Sequence, residues 1–149
     1  LGVAIALSPS PSHSYERPPN LPLIQTSTDA RSLLQQGRAQ ADAGRFSEAA
    51  RLWQQAASEY RQQGDKLQEA ISLSYLSFAY LQLGQLSQAM DAVQQSQTLL
   101  QQASNQPGST VILAQALNTE GSIQLAMGQT EAALQTWENA AKAYDLAKD

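Results

Sequence analysis

From Ala30 onward, apolar residues recur at steps of three and four, and small residues punctuate them at fixed places. That period belongs to helices with one buried stripe, and six of them are predicted. The first starts at Thr28 or Asp29, either of which can accept from the free N–H groups of a first turn, and runs to about Ala43. The second begins at Ser47 as N-cap, with Glu48 facing the positive helix end. It buries Ala49, Trp53, Ala56, Ala57 and Tyr60. The third covers about 66–83 behind Asp65, whose spacing to Gln68 matches a capping box. It is apolar on nearly all sides (Ile71, Leu73, Tyr75, Leu76, Phe78, Tyr80), which predicts burial on both flanks. The remaining three cover about 87–103, 109–127 and 130–147.

The pattern repeats in a fixed register. Gly84 follows Gly44 by 40 residues, and Gly128 follows Gly84 by 44. Eleven residues before each of these glycines stand Leu33, Leu73 and Leu117; seven before stand Gly37, Ser77 and Gly121. Nine after stand Trp53, Val93 and Trp137; twelve after, Ala56, Ser96 and Ala140. Small and bulky residues in register over three copies mark a repeat protein. Each anchor glycine supplies the left-handed turn between two helices, so the expected unit is an antiparallel helix hairpin. Its small residues Gly37, Ala49 and Ala56 allow close backbone approach, and Trp53 fills the space beside them. The repeats run about 28–64, 65–106 and 107–149, with Ser104–Gly108 (S-N-Q-P-G) as the one clear break.

Residues 1–27 differ. Five of the six prolines fall between Pro9 and Pro22, and proline disfavours helix at its own position and the one before it. Residues 8–27 therefore read as an extended tether. Two readings of Leu1–Leu7 (L-G-V-A-I-A-L) stand. It is either the end of a signal-peptide apolar core, which implies export to the periplasm or beyond, or a chain boundary or loosely packed strand in a cytoplasmic protein.

Composition narrows the chemistry. The chain is 42% hydrophobic and 15% charged with a net charge of −4, and glutamine supplies much of its polar surface. Without a basic stripe, binding nucleic acid through phosphate neutralisation is disfavoured. There is no cysteine, and the only histidine, His13, lies on the tether. Neither a Gly-rich phosphate loop nor H-E-x-x-H nor a Ser/His/Asp set is present. The expectation is a protein without intrinsic catalysis, metal or cofactor. No apolar run approaches the ~20 residues of a membrane helix.

The residues at these offsets (Leu, Gly or Ser, Gly, Ala, a bulky residue, Ala) resemble the tetratricopeptide repeat (TPR) over about residues 29–148, in three copies. The periods exceed the usual ~34, as in TPR proteins with extended helices. The aromatic residue common four before the anchor stands only at Tyr80, with Gln40 and Gln124 in the other copies. The local run A-G-R-F-S-E-A-A-R-L-W-Q-Q-A also resembles TPR arrays of large bacterial proteins that carry a caspase-like CHAT domain, a domain this sequence does not contain. The resemblance implies an all-α, right-handed superhelical solenoid whose first helices line a concave groove for a peptide or partner protein.

Carried onto this register, the resemblance implies groove positions Arg31, Leu34, Gln35, Arg38, Ala41 and Asp42 in the first repeat. In the second it implies Ile71, Ser74, Tyr75, Phe78, Leu81 and Gln82, and in the third Gln115, Asn118, Thr119, Ser122, Leu125 and Ala126. The expected ligand is an extended or helical segment with an apolar anchor over Tyr75 and Phe78 and an acidic group toward Arg31 and Arg38. Against this, Tyr75 and Phe78 could equally pack on neighbouring repeats, and the two arginines could be ordinary solvated side chains. The dicarboxylate clamp of chaperone-binding TPRs is not matched, since Leu34 and Ser74 stand where polar clamp residues are needed.

Trp53 and Trp137, being in strict register, are expected in the core rather than as stacking platforms. Glu120 is expected to be a partly exposed carboxylate. The last helix presents Ala133, Leu134, Trp137, Ala140, Ala141 and Tyr144 with no polar helix after it. Terminal repeats normally need a solvating cap. The alternative function is therefore structural: an oligomerisation segment stacking copies through this face, part of a larger protein, or a face covered by Leu1–Leu7 folding back.

Overall fold

The computed structural model describes residues 29–148. The expectations for the tether and for Leu1–Leu7 lie outside them. The described residues form six α-helices and no strand: α1 Ala30–Asp42, α2 Phe46–Gln63, α3 Lys66–Gln82, α4 Leu86–Gln102, α5 Ser109–Ala126 and α6 Thr130–Lys148. Each helix packs on the next in the chain, and α3 also packs on α5. The architecture is all-α and repeat-like, three helix pairs in chain order. No described helix is long and apolar enough to cross a membrane.

The turns inside the pairs are copies of one another. Gly44, Gly84 and Gly128 take φ of 72°, 71° and 79°. Behind each, the next residue's N–H returns five residues: Arg45 to the Gln40 carbonyl (2.8 Å), Gln85 to Tyr80 (2.9 Å) and Gln129 to Gln124 (2.8 Å). This is the Schellman closure, which satisfies carbonyls that a helix end leaves free. Because it leaves only one residue before the next helix, Arg45 takes the cap position of α2, with no side-chain cap bond. Ser47, expected as the N-cap, lies inside α2, two residues past the cap position. At Asp65 half of the expected capping box forms. Its Oδ1 accepts from the Gln68 N–H at 3.1 Å, while its own N–H is already given to the Tyr60 carbonyl.

The core is continuous along the array. Ala30, Leu33, Leu52, Ala56 and Tyr60 join α1 to α2. Ala50, Trp53 and Ala57 of α2 cluster with Leu73, Leu76 and Ala79 of α3. Ala70, Val93, Leu100, Ala116 and Ile123 tie α3 and α4 to α5. Gly37 faces the Trp53 indole, which occupies the space a Cβ at Gly37 would need. Gly121 meets Trp137 in the same way, with a Cβ landing 2.5 Å from its Nε1. In the middle pair the equivalent positions are Ser77 and the smaller Val93, both fully buried, and the Ser77 hydroxyl donates to the Ala89 carbonyl at 2.8 Å. A second buried hydroxyl, Ser96, donates back to the Ala70 carbonyl at 2.7 Å.

Candidate functional site

Two clefts open on the side formed by α1, α3 and α5. The first, about 490 Å³, is lined by Arg31, Leu34, Gln35 and Arg38 of α1 and by Ile71 and Tyr75 of α3, with Asp29, Asp65 and Tyr60 at its edge. The second, about 360 Å³, takes Arg38, Ala41 and Asp42 from α1, Ser74, Tyr75 and Phe78 from α3, and Gln115, Asn118 and Thr119 from α5. Arg38 and Tyr75 line both, so the two clefts meet at these side chains.

Tyr75 and Phe78 both pack and line. The Tyr75 ring sits 5.3 Å from that of Trp53, and Phe78 meets Phe46 edge-on at 6.0 Å, yet Phe78 remains 40% exposed. Each ring is thus held by the preceding helix pair with one face left toward the cleft. That geometry fits an apolar side chain without needing the rings to move. Arg31 and Arg38 are exposed, and among the described residues neither has a carboxylate within ion-pair distance.

Among the groove positions implied by the resemblance, Leu81, Gln82, Ser122, Leu125 and Ala126 line neither cleft. Gln82 is the exposed last residue of α3. Ser122 is half-buried, and its hydroxyl donates back to the Asn118 carbonyl at 3.1 Å. Leu81 packs instead against the core shared by α3, α4 and α5. Conversely, Tyr144 of α6 lines the second cleft, a position the register of first helices could not reveal. A signal for it did exist: it stands at the same place in its repeat as Tyr60, which borders the first cleft.

Both tryptophans are structural. Trp53 is buried, and its Nε1–H donates to the Leu34 carbonyl at 3.2 Å. Trp137 repeats that bond to the Asn118 carbonyl at 3.2 Å but is only half-buried, since no helix follows it among the described residues. Glu120 is half-buried and serves as a joint between α4 and α5, accepting from Gln97 Nε2 at 2.6 Å and from Gln124 Nε2 at 3.3 Å. Burial in the apolar cluster between α1 and α2 pushes the Tyr60 phenol pKa up, and Asp29 adds to the shift.

No protein-family model matches the chain, and no curated protein is significantly similar to it. The fold and the clefts thus define the class on their own: an all-α protein of repeated helix pairs with a mixed apolar and polar groove along its first helices.

Proposed function

We propose that this chain is a TPR-like interaction module, its three helix pairs coiling as a superhelical solenoid, and that the groove along α1, α3 and α5 holds an extended segment of a partner protein. The observation that carries this reading is the pair of clefts meeting at Arg38 and Tyr75. One continuous track offers a guanidinium at one end, two held aromatic rings in the middle and the amides of Gln115 and Asn118 at the other. An extended backbone needs hydrogen-bonding amides along its course, and an apolar side chain needs a preformed wall. The ligand is therefore a peptide segment with an aromatic or branched apolar residue over Tyr75 and Phe78 and a carboxylate toward Arg31 and Arg38.

Selection from a random displayed-peptide library tests this. Wild-type protein should enrich sequences that combine an apolar anchor with an acidic residue on one side. A folded Phe78→Ala variant should lose the apolar preference, and Arg38→Glu should lose or invert the acidic one. Enrichment that is unchanged by both variants places binding elsewhere and overturns the reading.

A further inference from the structure

Asp29 stands at the edge of the first cleft, directly before α1. The residues that precede it therefore join the fold at the mouth of the groove. The second cleft lies further along α1, at the level of Arg38 and Asp42, nine and thirteen residues after Asp29. At 1.5 Å per residue that is about 14–20 Å down the helix. Pro22 stands seven residues before Asp29. Seven residues of polyproline II chain span about 22 Å, enough to bring Pro22 to the second cleft.

The sequence that arrives there is R-P-P-N-L-P-L-I, Arg17–Ile24. Pro19 and Pro22 are three apart, the period of polyproline II, so they share one edge of that helix. Such segments dock in grooves walled by aromatic rings, because their extended shape is preset and little entropy is lost. The second cleft offers three rings, Tyr75, Phe78 and Tyr144. Trp53 and Phe46 hold the first two from behind. Leu23 and Ile24, nearer Asp29, fall at the first cleft, where Leu34 and Ile71 are the aliphatic side chains.

Charge fits in the same direction. Arg17 lies beyond the prolines, and the far end of α1 brings Asp42 to the second cleft. Asp42 is exposed and has no ion-pair partner among the described residues.

We propose that Arg17–Ile24 of this chain is an internal ligand of the groove, with Pro19 and Pro22 on the rings of the second cleft and Arg17 at Asp42. The proposal rests on the peptide-binding groove proposed above and adds its regulation. No acidic residue stands between Pro18 and Thr28, so the internal segment brings no carboxylate to Arg31 and Arg38. A partner that supplies one gains an ion pair the chain's own segment lacks. The segment thus raises the threshold for binding and favours acidic partners.

A fluorescent peptide of residues 16–25, added to the full chain, tests this. A short linker holds the internal segment at an effective concentration of about 1 mM, which weakens a competing peptide of about 0.1 mM affinity roughly ten-fold. The full-length variant Arg17→Glu/Pro19→Ala/Pro22→Ala should therefore bind the peptide about ten-fold more tightly than wild type. Adding Phe78→Ala to it should abolish binding with helicity intact. Adding Asp42→Arg instead should make it prefer a peptide carrying Arg17→Glu over the native one.

Equal affinity of wild type and the triple variant overturns the proposal. If Phe78→Ala still removes that binding, the groove keeps its assigned role and only the internal ligand falls. Absence of binding to both chains also overturns it, and the displayed library then judges the groove separately. So does a mass that rises with concentration for wild type and not for the triple variant, because the segment would then fill the groove of a second copy.

Discussion

Gly37 and Trp53 form one fitted pair: the indole of α2 fills the volume a side chain on residue 37 would need, and its N–H is held by the Leu34 carbonyl one turn earlier. Gly121 and Trp137 repeat the pair with the same 3.2 Å bond, to the Asn118 carbonyl. In the middle helices Ser77 and Val93 replace both members together. The size lost by one residue is gained by the other, which is how a close-packed interior accommodates exchange.

Gly37→Leu should therefore destabilise the fold by about 1–3 kcal/mol through overpacking, outweighing the roughly 1 kcal/mol that a helix interior gains when glycine is replaced. The double variant Gly37→Ser/Trp53→Val should be more stable than the sum of its single variants predicts. Urea unfolding of the full cycle measures this coupling, and strict additivity would contradict the fitted-pair account.

The left-handed turns make a second prediction. Gly84→Ala should cost about 1–2 kcal/mol, since φ of 71° brings a Cβ against the following carbonyl. Beyond Gly84 and its two chain neighbours, nothing lies within 4 Å of the position where that Cβ would stand, so the loss is one of local backbone conformation rather than crowding by other residues. Gly84→Asn should recover part of it, because asparagine tolerates this region better. Equal losses for Ala and Asn would argue for a different cause.

Ser96→Ala tests the polar bonds inside the core. Its hydroxyl is fully buried and donates across from α4 to the Ala70 carbonyl of α3. Losing one such bond should cost about 0.5–1.5 kcal/mol. Ser58→Ala, on the exposed side of α2, should change the unfolding midpoint little; comparable shifts in both would show that the buried bond contributes nothing.

Tyr60 predicts the alkaline limit of stability. Burial raises its folded pKa above the unfolded value near 10. The unfolded chain therefore releases this proton first. The contribution of the neutral phenol is complete below about pH 10 and is lost as pH rises through the raised folded pKa. Tyr60→Phe should flatten this part of the loss, read as unfolding free energy between pH 9 and pH 11.5. An unchanged slope would mean that the phenol ionises without penalty.

The sequence alone determined the helical class, the six segments to within a residue or two, and the register of the turns. It could do so because those signals are local: φ at Gly44, Gly84 and Gly128 and the side-chain bond of Asp65 each involve only a few neighbouring residues. The buried stripe of α2 was legible for the same reason, since its period is a property of one helix. Tertiary structure alone decided which side chains share a cleft. Tyr75 both packs on Trp53 and lines the groove, Gln82 and Ser122 fall outside it, and Tyr144 lines it from the far end of the chain. Those outcomes depend on how each helix is rotated against the next, and that rotation is fixed by side-chain volumes contributed by several helices at once. The tryptophan that fits against Gly37 comes from sixteen residues away, and no pattern within α1 alone could reveal it.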